Sequence, residues 1–314
     1  MKDMSIAIVS PCFNEGSAIL DFLKRVDNVI TGIDEQFIVV IVDDCSEDDT
    51  LEKLRSFQFS SPNSLHVLSL QYNVGHQAAI YQGLLYVSGL PISKAIVMDS
   101  DGEDDPDAIT ELLQIKNYSI VEVKRGKRRE SFLFKFFYAL YKMFFRLITG
   151  KTIDFGNYCM IEKNIIDRIT HTSFIHFPAY LLKQKTSRTF IRYNRQKRID
   201  GKSKMGSQGL LIHAFNSLIE FGQDLLMMFL KLFLVVMVLL AFLLGFSFYH
   251  KFITKKAIAG WFSTLTVELV NLAMLCFGFF ILGILMLNLM HKQNNRKQKC
   301  IYRIVDGKPD TLPS

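Results

Sequence analysis

Cysteine chemistry is the first thing this sequence is short of. Its five cysteines, Cys12, Cys45, Cys159, Cys276 and Cys300, are odd in number and form no Cys-x-x-Cys pair. That argues against a disulfide framework or a zinc site and fits reduced thiols on a cytosolic face. The N-terminus offers no signal peptide, because Ile6-Ala7-Ile8-Val9 is too short for its apolar core. No zinc-finger or RNP-like signature accompanies the net charge of +7, so nothing points to nucleic acid. Repeats and low-complexity linkers are absent. The Gly and terminal Glu spacing of an EF-hand is missing from every acidic stretch.

What is present is apolar surface. Hydrophobic residues make up 49% of 314 residues. The mean hydropathy of +0.20 is high for a purely soluble chain. The excess lies after residue 225. Leu232–Tyr249 and Leu269–Met290 carry no charge and are long enough to span a bilayer as helices. Lysines flank them, and the tail carries Lys292, Arg296, Lys297, Lys299, Arg303 and Lys308. The positive-inside bias places that tail, and with two spans the N-terminal domain too, in the cytosol. Two uncharged spans argue against a channel or a lipid-flipping protein. Gly278 and Gly283 are small positions through which the spans could self-associate, although they form no Gly-x-x-x-Gly.

Upstream, short β-branched runs alternate with helical stretches. Strands are expected at Ser5–Ser10, Phe37–Val42, Leu65–Leu70, Ala95–Met98 and Ser119–Val123, with helices between them. This pattern predicts a mostly parallel sheet covered by helices, with ligands at the carboxyl ends of the strands. Phe132–Ile148 is aromatic, and Lys135, Lys142 and Arg146 share one helical face. It reads as a helix lying in a membrane interface, or as a core helix with snorkelling cations. Leu211, Phe215, Leu218 and Leu225 form a second apolar stripe. The expected organisation is a domain over 1–205, a juxtamembrane helix over 206–231, spans at about 232–250 and 269–290, and a basic tail over 291–314.

Three strand candidates end in polar clusters: Pro11-Cys12-Phe13-Asn14-Glu15, Asp43-Asp44 and Asp99-Ser100-Asp101. Asp99-Ser100-Asp101 follows Ala95–Met98 and places two carboxylates at a strand mouth, either a donor set for Mg²⁺ or Mn²⁺ bridging to phosphates or a solvated acidic loop. Asp43-Asp44 follows the second strand. It is either an acceptor of hydrogen bonds from a base or ribose, or a turn with Ser46 or Asp48 capping the next helix. Asn73-Val74-Gly75-His76-Gln77 opens a helix and is either a set of N–H groups for phosphate or ribose oxygens or a plain turn, with His76 a capping or surface residue. Lys124-Arg125-Gly126-Lys127-Arg128-Arg129 suits phosphate binding or simple membrane anchoring.

In order, Pro11-Cys12-Phe13-Asn14-Glu15, Val42-Asp43-Asp44-Cys45-Ser46, Asn73-Val74-Gly75-His76 and Asp99-x-Asp101 resemble glycosyltransferase family 2. The later segments Lys124–Arg129, Asp154-Phe155-Gly156-Asn157-Tyr158 and Arg198-x-x-Gly201-x-Ser203-Lys204, with two C-terminal spans, resemble its polyprenyl-phosphate group. That resemblance implies a GT-A, Rossmann-like α/β fold with interfacial helices and two transmembrane helices. It implies a metal-dependent, inverting transfer of one sugar from a nucleotide sugar, UDP favoured, to polyprenyl (undecaprenyl) phosphate at the cytosolic face of the inner membrane, serving cell-envelope glycans. Pro11, Asn14, Glu15, Asp43, Asp44, Asn73, Gly75, Asp99 and Ser100 would hold the nucleotide. Asp99, Asp101 and Glu103 would hold the metal, Glu103 standing where the family usually has Gln. Arg125, Arg129, Arg198, Ser203 and Lys204 would hold the lipid phosphate, and Asp101, Arg125 and Arg129 would be catalytic. Asp154 and Asn157 stand on the acceptor side. Related enzymes often read Gly-Asp-Phe-Arg where this chain has Gly156-Asn157-Tyr158-Cys159, and Asn157 cannot act as a base. The alternatives are another lipid or lipid-linked saccharide acceptor, and a catalytically silent nucleotide-sugar sensor or scaffold. The Gln-x-x-Arg-Trp motif of processive synthases is absent.

Overall fold

A computed structural model of the chain describes residues 4–125, 132–194, 196, 207–254, 260–294 and 301–305. Eight strands form one sheet: β1 (Ser5–Cys12), β2 (Phe37–Asp43), β3 (Ser64–Leu70), β4 (Ile92–Val97), β5 (Ile120–Arg125), β6 (Cys159–Glu162), β7 (Arg188–Tyr193) and β8 (Tyr302–Ile304). Their spatial order is β7-β5-β6-β4-β1-β2-β3-β8. Six strands run one way, as the pattern predicts. Only β6, between β4 and β5, and β8, beyond β3, run the other way.

The parallel centre follows from continuous apolar runs that tolerate burial on both faces. In β1 every residue is buried. Ala7 and Val9 face one layer with α3 (His76–Ser88), α6 (Lys163–Thr172) and α7 (Phe177–Lys183). Ile6 and Ile8 face the other with α1 (Ile19–Ile30), α2 (Thr50–Ser56) and α4 (Ala108–Gln114). The alternation of strand side chains thus builds two cores from one sheet. Helix α1 presents Ile19, Phe22, Leu23, Val26 and Ile30, the spacing of a buried helical stripe. On α3, Gly83 is required by close approach. A Cβ there would lie 2.5 Å from Val9 Cγ1 and 2.9 Å from Val42 Cγ2.

Three strands depart from expectation. Residues 159–162 and 188–193 form β6 and β7, and residues 302–304 of the basic tail join the sheet as β8. Tyr302 is buried and meets Tyr86 edge-on at 5.7 Å between centroids. Ladder-end bonds from Gln71 N–H to the Ile301 carbonyl (3.1 Å) and from Val305 N–H to the Val67 carbonyl (2.9 Å) fasten it.

The chain divides into two units, one comprising 1–142, 152–220 and 298–314, the other 143–151 and 221–297. In the first, α8 (Ser207–Glu220) is held by Tyr141 Oη to Ser217 Oγ at 2.6 Å, and its Glu220 carboxylate accepts from Ile175 N–H at 2.9 Å. Leu211, Ile212, Phe215 and Ile219 of α8 are exposed along one stripe. This differs from the expected stripe, because Leu218 is half-buried and Leu225 belongs to the next helix.

The second unit is a helical hairpin of α9 (Gly222–Phe252) and α10 (Trp261–Asn294). Phe229 meets Phe279 at 5.9 Å and Phe233 meets Phe277 at 5.5 Å, so the helices run antiparallel. The helix break falls at Phe221, so the apolar helix begins earlier than expected. Gly222–His250 and Ser263–Met286 are each long and apolar enough to cross a membrane, and only 11% of the 18-residue apolar stretch in either is buried. A Cβ on Gly283 would overlap Leu226, so that glycine serves packing within the hairpin, whereas Gly278 has open space among the described residues. Helix α5 (Phe132–Thr149) exposes Leu140, Met143, Phe144 and Leu147 on one face and turns Lys142 and Arg146 to another.

Candidate active site

β1, β2 and β4 end at one edge of the sheet, and antiparallel β6 begins there. Val97 pairs with Cys159 in the β4–β6 ladder. Two residues further along, this register carries Asp99 opposite Asn157. The edge has two acidic halves.

The first half joins the ends of β1 and β2 to the start of α3. Asn14 adopts a left-handed conformation, φ 52°, which its short polar side chain tolerates. Its N–H donates to Ser46 Oγ at 2.9 Å, and its Oδ1 accepts from Glu47 N–H at 2.8 Å. Asp48 accepts from Gly16 N–H and Thr50 N–H, both at 3.0 Å. Burial raises the Asp48 pKa, but bonds from Thr50 and Gly16 outweigh it and hold the carboxyl below its ordinary range. Asp43 is 1% exposed and accepts from Ser46 N–H at 3.3 Å. Asp44 is 3% exposed, with Oδ1 accepting from Val74 N–H at 2.7 Å and Oδ2 from Gly75 N–H at 2.9 Å. Asn73 Nδ2 donates to the Asp44 carbonyl at 3.2 Å. Burial lifts both the Asp43 and Asp44 pKa values against these bonds. Two N–H groups expected to meet a phosphate or ribose therefore point to Asp44 instead. Gly75 makes that turn at φ +86°. Glu15 is buried beside this loop, and the Pro11 carbonyl accepts from Ser100 Oγ at 2.8 Å.

The second half follows β4. Asp99 N–H donates to Asp104 Oδ2 at 2.9 Å, and Glu103 N–H donates to Asp101 Oδ1 at 2.9 Å. Half-exposed His76 places Nε2 3.1 Å from Asp99 Oδ1. Burial lowers the His76 pKa, but the Asp99 charge and hydrogen bond, with Asp101 and Asp104 behind them, lift it above its ordinary value. Asn157 Nδ2 lies 2.9 Å from His76 Nε2 and 3.4 Å from Asp99 Oδ1. Glu103 is buried and lines a small cavity with Tyr158 and Tyr193. Among the described residues, no three His, Cys, Asp or Glu side chains form a ready-made metal cage. Asp99 and Asp101 nonetheless offer oxygen ligands alone. A hard cation of the Mg²⁺ type needs only one or two carboxylates when phosphates and water complete its shell. The donor set fits that ion.

Asp154, expected on the acceptor side, pairs with Lys124 Nζ at 3.1 Å, and the same ammonium lies 3.9 Å over the Phe190 ring. Arg125 closes β5, its Cα paired with Tyr193. Arg129, Arg198, Ser203 and Lys204, and the Arg125 side chain, lie outside the described residues. Two groups escaped sequence reasoning. Glu122, in the middle of β5, is buried 3.6 Å from Arg188, and burial pushes its pKa up to about 7 against the Arg188 charge. A lone acid inside Ile120-Val121-Glu122-Val123 was the available signal. Gln77 donates from Nε2 to Asn157 Oδ1 at 3.1 Å and had no signal beyond its place after His76.

Residues 7–180 match the family described as Glycosyl transferase family 2. The chain belongs to this family. As a family 2 glycosyltransferase it resembles the uncharacterized glycosyltransferase YkcC of Bacillus subtilis (strain 168), 26% identical over 291 residues, 85% of this chain and 84% of YkcC. The undecaprenyl-phosphate 4-deoxy-4-formamido-L-arabinose transferase of Sodalis glossinidius is 25% identical over 212 residues, and the match spans 64% of either chain. Among solved structures, mannosyl-3-phosphoglycerate synthase from Rubrobacter xylanophilus superposes with TM-score 0.51 at 13% identity, over 71% of this chain and 74% of that one. Glucosyl-3-phosphoglycerate synthase from Mycobacterium tuberculosis, solved with Mn²⁺, UDP and glucosyl-3-phosphoglycerate, gives 0.50 at 16%, over 70% and 80%. At such identities the likeness is one of fold, and the fold is the GT-A, Rossmann-like α/β arrangement expected from the motifs.

Proposed function

We propose that this family 2 glycosyltransferase transfers one sugar from a nucleotide sugar, UDP favoured, to polyprenyl phosphate at the cytosolic face of the inner membrane. The observation that carries this reading is the path of the chain. It leaves the sheet-bearing unit after Glu220, forms two helices of membrane-spanning length, and returns β8 to the same sheet. Two crossings bring it back to one side. The exposed apolar stripes of α5 and α8 suit an in-plane position at the lipid surface. Relatives named for undecaprenyl phosphate support the acceptor. A fold relative solved with UDP and Mn²⁺ supports the donor and the cation.

Asn14, Glu15, Asp43 and Asp44 shape the nucleotide end, framed by Pro11, Asn73, Gly75 and Ser100. Asp99 and Asp101, with Glu103 beside them, would hold Mg²⁺ or Mn²⁺, which when bound supplies charge neutralisation for the leaving diphosphate. Arg125, Arg129, Arg198, Ser203 and Lys204 would grip the lipid phosphate. A lipid phosphate oxygen attacks the anomeric carbon, the new C–O bond forms as the bond to the diphosphate breaks, and configuration inverts. Asn157 takes no proton and need not, because a phosphate monoester with second pKa of about 6 is already largely dianionic near neutrality. Positioning and charge stabilisation carry the step.

Acceptor competition tests the proposal. With a labelled donor, undecaprenyl phosphate should take the label in preference to diacylglycerol or a lipid-linked saccharide. Preferential labelling of either competitor would move the enzyme to a different acceptor.

A further inference from the structure

We propose that Gln77 is a positioning residue that fixes the direction of the Asn157 side-chain amide and thereby what Asp99 and His76 meet. The metal role of Asp99 rests on the function proposed above; the direction of the amide does not.

The argument starts at a group whose direction is not open to choice. Phe177 N–H, at the first position of α7, is a backbone donor with no partner inside its own helix. It lies 2.6 Å from the Gln77 amide. A donor requires an acceptor, so the atom facing Phe177 is Oε1. The Gln77 Nε2 then faces Asn157 at 3.1 Å, and the atom it meets there must be Oδ1. That leaves Asn157 Nδ2 facing Asp99 Oδ1 at 3.4 Å and His76 Nε2 at 2.9 Å. An asparagine is ordinarily free to turn over, since its two ends are nearly alike in shape. Here a backbone N–H two links away forbids it. The anchor is itself held: His176 caps α7 by accepting from Ala179 N–H at 3.1 Å, and the Glu220 carboxylate accepts from Ile175 N–H at 2.9 Å.

The consequence is chemical. Asn157 presents hydrogen rather than oxygen to the Asp99 carboxylate. His76 Nε2, 2.9 Å from Asn157 Nδ2, also lies 3.1 Å from Asp99 Oδ1, to which its N–H donates. Replacing Gln77 by Glu keeps the acceptor for Phe177 but sets a carboxylate oxygen against Asn157 Oδ1. Asn157 then turns over and faces Asp99 with oxygen.

The variant Gln77→Glu is the test, read first without metal, donor or acceptor. Side-chain ¹H–¹⁵N NMR of the full chain in detergent reports the Asn157 amide, its NH₂ pair assigned with Asn157→Ala. The expected result is an Asn157 NH₂ pair displaced in Gln77→Glu, with one hydrogen bonded to the introduced carboxylate. The second reading is turnover with undecaprenyl phosphate. Loss of hydrogen-bond partners behind a metal carboxylate typically costs about 10- to 100-fold. That loss should fall on kcat, with KM for the lipid within about twofold. It should shrink as pH falls, because the introduced carboxyl, once protonated, again donates to Asn157. One Asn157 NH₂ signal and one pH profile shared by both proteins would overturn the proposal. Should Gln77→Glu not fold, Gln77→Met replaces it: a displaced Asn157 NH₂ pair is expected, and an unchanged one overturns the idea. Absence of transfer by the unaltered enzyme would sink the proposed function while leaving the amide result standing.

Discussion

Asp43 and Asp44, at the end of β2, are almost wholly buried and accept from the protein's own backbone, whereas Asp101, beyond β4, is half-buried, and Asp99 meets a half-exposed His76. Both clusters are acidic pairs at strand ends, and in sequence they look alike. The first fastens its own loop and the β3–α3 loop together through Ser46, Val74 and Gly75. The second is backed by side chains that donate and turn: His76, Asn157 and, behind it, Gln77. A buried carboxylate that ties a neighbouring loop through two N–H bonds is architecture first, and a half-buried one in a more open loop can add a ligand.

Substitutions can break that comparison. Asp101→Ala carries the largest expected effect: turnover falls by about a thousandfold, while loss of the single Glu103 N–H bond costs only about 1 kcal/mol of stability. Transfer at the parent rate would remove Asp101 from the metal site. Asp44→Ala reverses the pattern. It removes the acceptor of two half-buried N–H donors and should cost about 2 kcal/mol of stability, seen as a lower melting temperature without ligand. A fully stable Asp44→Ala that lost only nucleotide affinity would erase the distinction between the halves.

Glu122 sharpens the contrast from a third position, away from either pair. Its folded pKa of about 7 lies above the ordinary 4.5, so the neutral carboxyl belongs to the fold. That contribution is complete below the unfolded value and is lost as pH rises through about 7. Glu122→Gln should therefore match the parent near pH 5 and exceed it near pH 8 by about 2 kcal/mol in thermal unfolding. A constant difference between the two proteins across that range would contradict the burial argument. The smallest expected effect is Gly83→Ala, where a Cβ forced against Val9 and Val42 beneath the first half should cost about 1 kcal/mol. A neutral result would mean α3 has room to shift.

Much of the sheet is legible in the sequence. Ile6–Val9 and Phe37–Val42 are continuous apolar runs, and a parallel sheet buried on both faces is what such runs build. The strand-end acids follow from the same pattern. β6 and β8 are not legible there, because four residues at Cys159–Glu162 and three at Tyr302–Ile304 carry no usable period. Their existence depends on long-range pairing, with β4 and β5 on one side and β3 on the other. The start of α9 is hidden because Lys231 interrupts the apolar pattern after Phe221, although the helix runs through it. Gln77 is invisible for a different reason. A neutral amide has no charge or period to mark it, and its role emerges only when Phe177, a hundred positions away, is brought beside it.

The most direct measurement is transfer itself. Purified protein is incubated with Mg²⁺ or Mn²⁺, undecaprenyl phosphate and a panel of labelled nucleotide sugars, and the lipid phase is extracted. The account predicts a mild-acid-labile labelled lipid from one donor, a UDP-sugar first among them, and none when Asp101→Ala replaces the parent. Nucleotide-sugar binding with no labelled lipid from any donor would contradict it.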